Sequence, residues 1–149
     1  ADAYHLSSPL PDGSGAARCM NMALKHAKLN ATDVQYVNGH ATSTSMGDVC
    51  ETKAVKLVFG DYAKNGLLVS ATKSMTGHLL GAAGGVELAA TLLCMANNLV
   101  HPTINVENQD PECDLDYCAN VARDVKMDVA LKNNFGFGGT NGSLVFKRV

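Results

Sequence analysis

The feature that most limits what this chain can fold into is a repeated alternation: a short β-like run, a polar loop, then a helical run. Val34, Tyr36 and Val37 lie in a strand-like run over residues 33–38 that stops at Gly39-His40. Ser45 and Asp48 then stand at capping-box spacing ahead of a helix that carries Ala54, Leu57 and Val58 on one side and runs to Gly60. Leu67-Leu68-Val69-Ser70-Ala71 is a second run, largely apolar as expected of a strand covered on both faces, and a loop and a long helix follow it. Alternating strands and helices imply an α/β sheet. An earlier helix, with Ala16, Met20, Ala23, Leu24 and Ala27 at three-and-four spacing, precedes the alternation and ends near Asn30.

The long helix is placed from about Gly77 to Asn97. Its glycines and alanines weaken an isolated helix but let neighbouring backbones approach closely, so it is expected to be central and buried. Glu87 in the middle of the run, together with so much glycine, argues against a membrane span. Beyond Pro102 the chain is polar and irregular as far as Lys126, with a brief strand candidate at Leu115 to Tyr117. Val129 to Leu131 and Leu144 to Phe146 are better strands, and the glycine-rich turn Phe135-Gly136-Phe137-Gly138-Gly139-Thr140-Asn141 lies between them.

With 46% hydrophobic and 17% charged residues, the chain has the apolar material for one globular core. A net charge of −2 and the absence of any Lys/Arg run give no footprint for nucleic acid or an anionic membrane. Cys19, Cys50 and Cys94 fall inside apolar helical stretches, as small buried hydrophobes do. Cys113 and Cys118 have no histidine at metal-ligand spacing, so no metal site is expected. The glycine turn lacks the Lys-Ser/Thr pair of a phosphate loop and opens no helix, which excludes nucleotide binding there. The opening Ala1-Asp2-Ala3-Tyr4-His5 carries neither methionine nor a signal core and reads as the start of an excised piece of a longer protein.

In open α/β sheets ligands gather beyond the carboxyl ends of the strands. Three candidate segments lie there: Asn38-Gly39-His40-Ala41-Thr42-Ser43-Thr44, Thr72-Lys73-Ser74-Met75-Thr76-Gly77-His78, and the glycine turn. Glu87, a lone carboxylate on a nearly uncharged helix, needs a cation, and Lys73 at the preceding strand end is the nearest reasonable one. On burial alone, a structural ion pair and a catalytic one stand level.

Those three segments, in this order and spacing, resemble the C-terminal signatures of the β-ketoacyl-acyl-carrier-protein synthases. The likeness spans nearly the whole chain, including Ser8-Pro9, Asp12-Gly13 and Asn141-Gly142-Ser143-Leu144, while Ser74-Met75-Thr76 and Asp2-Ala3-Tyr4-His5 are most similar to the synthase II type. The family usually has alanine before the first histidine and glycine after it, whereas here Gly39 precedes His40 and Ala41 follows it. The exchange loosens the backbone before the imidazole and adds a methyl beside the thioester arm.

The resemblance implies a thiolase-like fold, a layered α/β/α structure with a mixed sheet, of which residues 1–149 form the C-terminal half. It implies a decarboxylative Claisen condensation in fatty-acid elongation, with His40, His78 and Lys73 as catalytic residues. Thr42, Thr44, Phe137, Gly138 and Asn141 would then contact the acyl and phosphopantetheine groups, with Phe137 as a movable gate, and Glu87 would form a structural ion pair with Lys73. The nucleophilic cysteine of the family lies in its N-terminal half and is absent from this chain, which is therefore expected to be inactive alone. The implied partners are acyl-carrier protein and malonyl and acyl thioesters, in a homodimer, with no cofactor beyond the phosphopantetheine of the carrier. A cytoplasmic site in a bacterium, or a plastid or mitochondrial one in a eukaryote, would follow. Alternatives are a polyketide-type ketosynthase and an inactive chain-length partner.

Overall fold

The computed structural model describes residues 1–149, with a four-stranded sheet between two helical layers. In chain order the elements are α1 (Ser14–Ala27), β1 (Tyr36–Asn38), α2 (Gly47–Phe59), β2 (Leu68–Ser70), α3 (Lys73–Thr76), α4 (Ala83–Asn97), β3 (Leu99–Val100), β4 (Arg123–Asp124), β5 (Val129–Gly136) and β6 (Thr140–Lys147). The sheet runs β2-β1-β5-β6. β1 is parallel to both β2 and β5, and β6 returns antiparallel to β5. The mixed α/β architecture read from the sequence is the one observed.

Alternation along the central strands sorts side chains between the layers. Val37, Val129 and Leu131 join Met20 and Leu24 of α1 and Ala54, Val55 and Phe59 of α2 in one core. Tyr36 and Ala130 face the other way and pack with Cys94 and Met95 of α4. The consequence for function lies at the carboxyl end of the sheet. Because β1, β2 and β5 are mutually parallel, the segments after Asn38 and Ser70 and the distal half of β5 all emerge at one edge, where Asn38 stands level with Ser70 and Lys132.

Several boundaries differ from expectation. The helix placed from Gly77 begins only at Ala83. Gly77 stops α3 at φ 72°, Leu80 is left-handed at φ 51°, and the Leu80 amide donates to His78 Nδ1 instead of to a helical carbonyl. Nor is α4 wholly buried. Ala83, Glu87, Thr91, Cys94 and Met95 form its covered stripe, while Val86, Leu92 and Leu93 are exposed.

The expected box of Ser45 and Asp48 does not form: the residue before α2 is Met46, which carries no side-chain cap. Thr44 Oγ1 instead accepts from the Gly47 amide, and Asp48 Oδ1 from the Ser43 amide. Leu115 to Tyr117 is not a strand. It runs beside β2 with a single bond from the Val69 amide to the Asp116 carbonyl, and Cys118 then turns left-handed. β5, by contrast, continues well past Leu131 to Gly136, because an eight-residue partner satisfies its backbone.

Candidate active site

Beyond β1 the chain leaves the sheet at Gly39 and presents His40; beyond β2 it enters α3 with Lys73 in its first turn and reaches His78 after the Gly77 break. The two imidazoles meet edge-on, with ring centroids 5.7 Å apart, and Phe135 of β5 packs against the first at 5.9 Å. Both rings line a cavity of about 810 Å³ together with Thr42, Thr44, Phe137 and Asn141. The structure thus gathers most of the sequence-predicted residues around one space.

The Leu80 amide, 3.1 Å from His78 Nδ1, makes that nitrogen an acceptor and leaves the proton of a neutral imidazole on Nε2. His40 Nδ1 is buried with no hydrogen-bond partner within the chain. Burial, reinforced by the positive charges of Lys73 and Lys132, pushes the His40 pKa down to about 3, so His40 is neutral at physiological pH.

Lys73 Nζ donates to the His40 carbonyl at 2.6 Å and pairs with Glu87 Oε1 at 2.5 Å. The expected pair therefore forms, but it is half of a larger cluster. Lys132 of β5 takes the other oxygen, Glu87 Oε2, at 2.7 Å, and all three side chains are almost wholly buried. Burial would raise the Glu87 pKa; hydrogen bonds from Lys132 and Lys73 outweigh it and hold the carboxyl below its usual range.

A second buried carboxylate lies on the opposite face of the sheet. Glu51 of α2 accepts the His40 amide at 2.9 Å on one oxygen and the Ala41 amide at 2.8 Å on the other. Asn133 supports it at 3.2 Å, while Asn134, one residue on and pointing to the other layer, reaches Glu87 Oε2. This fork holds a strained turn, since Ala41 has φ 33°, a region that favours glycine. At position 39 a Cβ would meet only ordinary contacts, the nearest being Glu51 Oε1 at 3.4 Å. The Gly39/Ala41 order therefore puts the methyl where the backbone least tolerates it. Ala41→Gly is expected to raise stability by about 0.5 kcal/mol, the relief of strain exceeding the added freedom of the unfolded chain. Denaturant unfolding of the two forms checks it.

The remaining predicted residues divide. Thr42 and Thr44 hydroxyls stand 3.4 Å apart on the cavity wall, and Thr44 Oγ1 also accepts from the Gly47 amide. Phe137 is 80% exposed in the turn between β5 and β6. The Asn141 amide group donates to Asp2 at 3.2 Å. Gly138, left-handed at φ 74°, does not line the cavity; its amide donates to the Leu6 carbonyl. Glu51, Lys132, Asn133 and Asn134 were not foreseen. Lys132 follows directly on the strand read at Val129 to Leu131 and carries no local signal of its own; for Glu51 the signal is a carboxylate among the apolar positions Val49, Cys50, Ala54 and Val55.

Cys50 lines the same cavity, but it lies within α2, is buried, and has its thiol pKa raised by that burial. It lacks the features that generate a thiolate.

Two histidines, a buried lysine and a pair of threonine hydroxyls thus stand together at one edge of the mixed sheet. Residues 1–107 match the profile of the β-ketoacyl synthase C-terminal domain. The chain belongs to the β-ketoacyl synthase family. It is 54% identical over 147 residues to the 3-oxoacyl-[acyl-carrier-protein] synthase 2 of Synechocystis sp., covering 99% of this chain and 35% of that protein. It is 52% identical to the synthase 2 of Vibrio harveyi, covering 99% and 36%. The chain thus spans about a third of the length of the curated relatives it matches. A β-ketoacyl synthase from Burkholderia phymatum superposes with a TM-score of 0.92 at 42% identity over 99% of this chain and 35% of that one. A ketosynthase structure solved with its type II polyketide acyl-carrier protein and bound to the hexaketide superposes with a TM-score of 0.96 at 40% identity, over 99% and 36%.

Proposed function

We propose that this chain is the C-terminal part of a 3-oxoacyl-[acyl-carrier-protein] synthase that extends acyl groups by decarboxylative Claisen condensation. The observation that carries this is the meeting of His40 and His78 on one cavity, with the His78 proton held on Nε2.

In the reaction, a cysteine thiolate attacks the acyl thioester and the carrier thiol leaves. Malonyl thioester then loses carbon dioxide, and the electron pair of the broken carbon–carbon bond becomes an enolate. Its carbon attacks the acyl-enzyme carbonyl, and the cysteine thiolate departs. Neutral imidazoles that donate to the thioester oxygen stabilise the charge that develops there. Lys73 and Glu51 position the His40 loop through its carbonyl and its amides. Thr42 and Thr44 offer hydroxyls to the phosphopantetheine arm, and Phe137 is the gate of the acyl pocket. The partners are acyl-carrier protein and a second copy of the complete synthase. The reading calls for no resident cofactor, because substrates arrive on the carrier, and it takes the nucleophile from residues outside this chain.

A polyketide-type role is the second reading, favoured by the 40% identity to the carrier-bound ketosynthase; the synthase 2 relatives are more similar, at 54% and 52%. An inactive chain-length partner would have no need to keep His40, Lys73 and His78 together.

With acyl- and malonyl-carrier protein, the complete synthase should release one labelled carbon dioxide per two-carbon extension and yield reducible 3-oxoacyl product. The 149-residue chain alone should show neither condensation nor acylation of a thiol. Turnover by the chain alone would overturn this division of labour, and repeated extension without reduction would favour the polyketide reading.

A further inference from the structure

Lys132 is a charged residue in the middle of a strand buried from both sides. Its side chain is 2% exposed, its ammonium lies 2.7 Å from Glu87 Oε2, and it donates to the neighbouring Asn133 carbonyl. Glu87 is thereby divided, one oxygen to each lysine, and Lys73 is left a donor for the His40 carbonyl at 2.6 Å. Were the second oxygen free, the ammonium of Lys73 could turn onto both oxygens and away from that carbonyl.

We propose that Lys132 is a positioning residue of this active site: by occupying the second oxygen of Glu87 it holds Lys73 on the His40 loop. The inference rests on the condensing-enzyme reading for its catalytic consequence, but not for its effect on His40.

The groups that face His40 come from every surrounding element. Lys73 of α3 and Lys132 of β5 are cationic, Glu87 of α4 is anionic, His78 touches the ring from the preceding loop, and Glu51 of α2 binds the His40 amide. Lys73 and Lys132 each disfavour the imidazolium, while Glu87 favours it. Removing the Lys132 charge leaves Glu87 less compensated, so the imidazole should become easier to protonate. Burial lowers the Lys132 pKa and Glu87 supports the ammonium.

The test uses the complete synthase and three forms: parent, Lys132→Gln and Lys132→Arg. Glutamine keeps a donor for Glu87 without the charge, and arginine keeps the charge. The His40 imidazole is followed by NMR from neutral pH down to the onset of acid unfolding, beside carbon dioxide release from malonyl-carrier protein. Lys132→Gln should raise the His40 midpoint by about one unit, and it should slow decarboxylation by about 10-fold to 10²-fold through misplacement of the loop. Lys132→Arg should restore most of both. A merely structural lysine would destabilise the protein when replaced but leave the His40 midpoint unmoved.

If Lys132→Gln titrates and decarboxylates as the parent does, the proposal is overturned. Should that variant fail to fold, direct ¹⁵N observation of the Lys132 side chain in the parent decides: an ammonium coupled to Glu87 at neutral pH supports the proposal, and a neutral amine sinks it. A parent that never decarboxylates malonyl-carrier protein while its His40 midpoint still depends on Lys132 would refute the reaction and leave the positioning role standing.

Discussion

Replacing Glu87 with glutamine is expected to cost the complete synthase about 3–5 kcal/mol of stability, because it leaves buried ammonium groups without a counter-charge. The upper end applies here, since Glu87 serves Lys73 on one oxygen and Lys132 on the other, with side-chain exposures of 4% and 2% for the two lysines. The sign of the pH dependence follows from the same geometry. A lysine without its carboxylate is more easily deprotonated, so the variant can shed the buried charge as pH rises. Its deficit relative to the parent should accordingly be smaller near pH 9 than at pH 7. Denaturant unfolding at both values checks this, and an unchanged midpoint would mean that the lysines do not depend on Glu87.

The second large effect falls on the chemical step. His40→Ala or His78→Ala in the complete synthase should suppress carbon dioxide release from malonyl-carrier protein by about 10²–10³, the usual loss for one donor to a developing oxyanion. Acylation of the cysteine should suffer less, because it depends on the thiolate and its local field. Single-turnover acylation measured beside labelled carbon dioxide release separates the two. The parent should show no inflection from His40 between about pH 5 and pH 8, since burial and the neighbouring lysines hold that pKa near 3. Variants that decarboxylate normally yet fail to acylate would reassign the pair to activation of the nucleophile.

Most of the layout was legible from local pattern. The alternation of extended and helical runs gives the α/β sheet, and a lone carboxylate in the apolar run 80–97 points to Lys73. What escaped depends on contacts between distant segments. Lys132 looks like the end of the run Val129 to Leu131, because a charge ordinarily closes an apolar strand; only pairing with β6 carries β5 through it. Glu51 reads as one more solvated residue between Asp48 and Lys53 until the loop after β1 is laid across it and its amides claim the carboxylate. The late start of α4 is a local competition that periodicity does not register, since a histidine side chain takes the amide a helix would have used.

The alternation of Lys132, Asn133 and Asn134 ties catalytic electrostatics to strand pairing. Lys132 and Asn134 reach Glu87 in one layer, and Asn133 reaches Glu51 in the other. A slip of one residue in β5 would exchange the two faces, carrying an ammonium into the aliphatic layer of Val37 and Leu131 and stranding Glu87 with a single lysine. The misaligned hairpin would thus bury an ammonium on one side of the sheet and leave a half-compensated carboxylate on the other, so the ion cluster acts as a proofreader of the fold: a chain that closes β5 onto β1 out of step loses the pairing that its buried charges need.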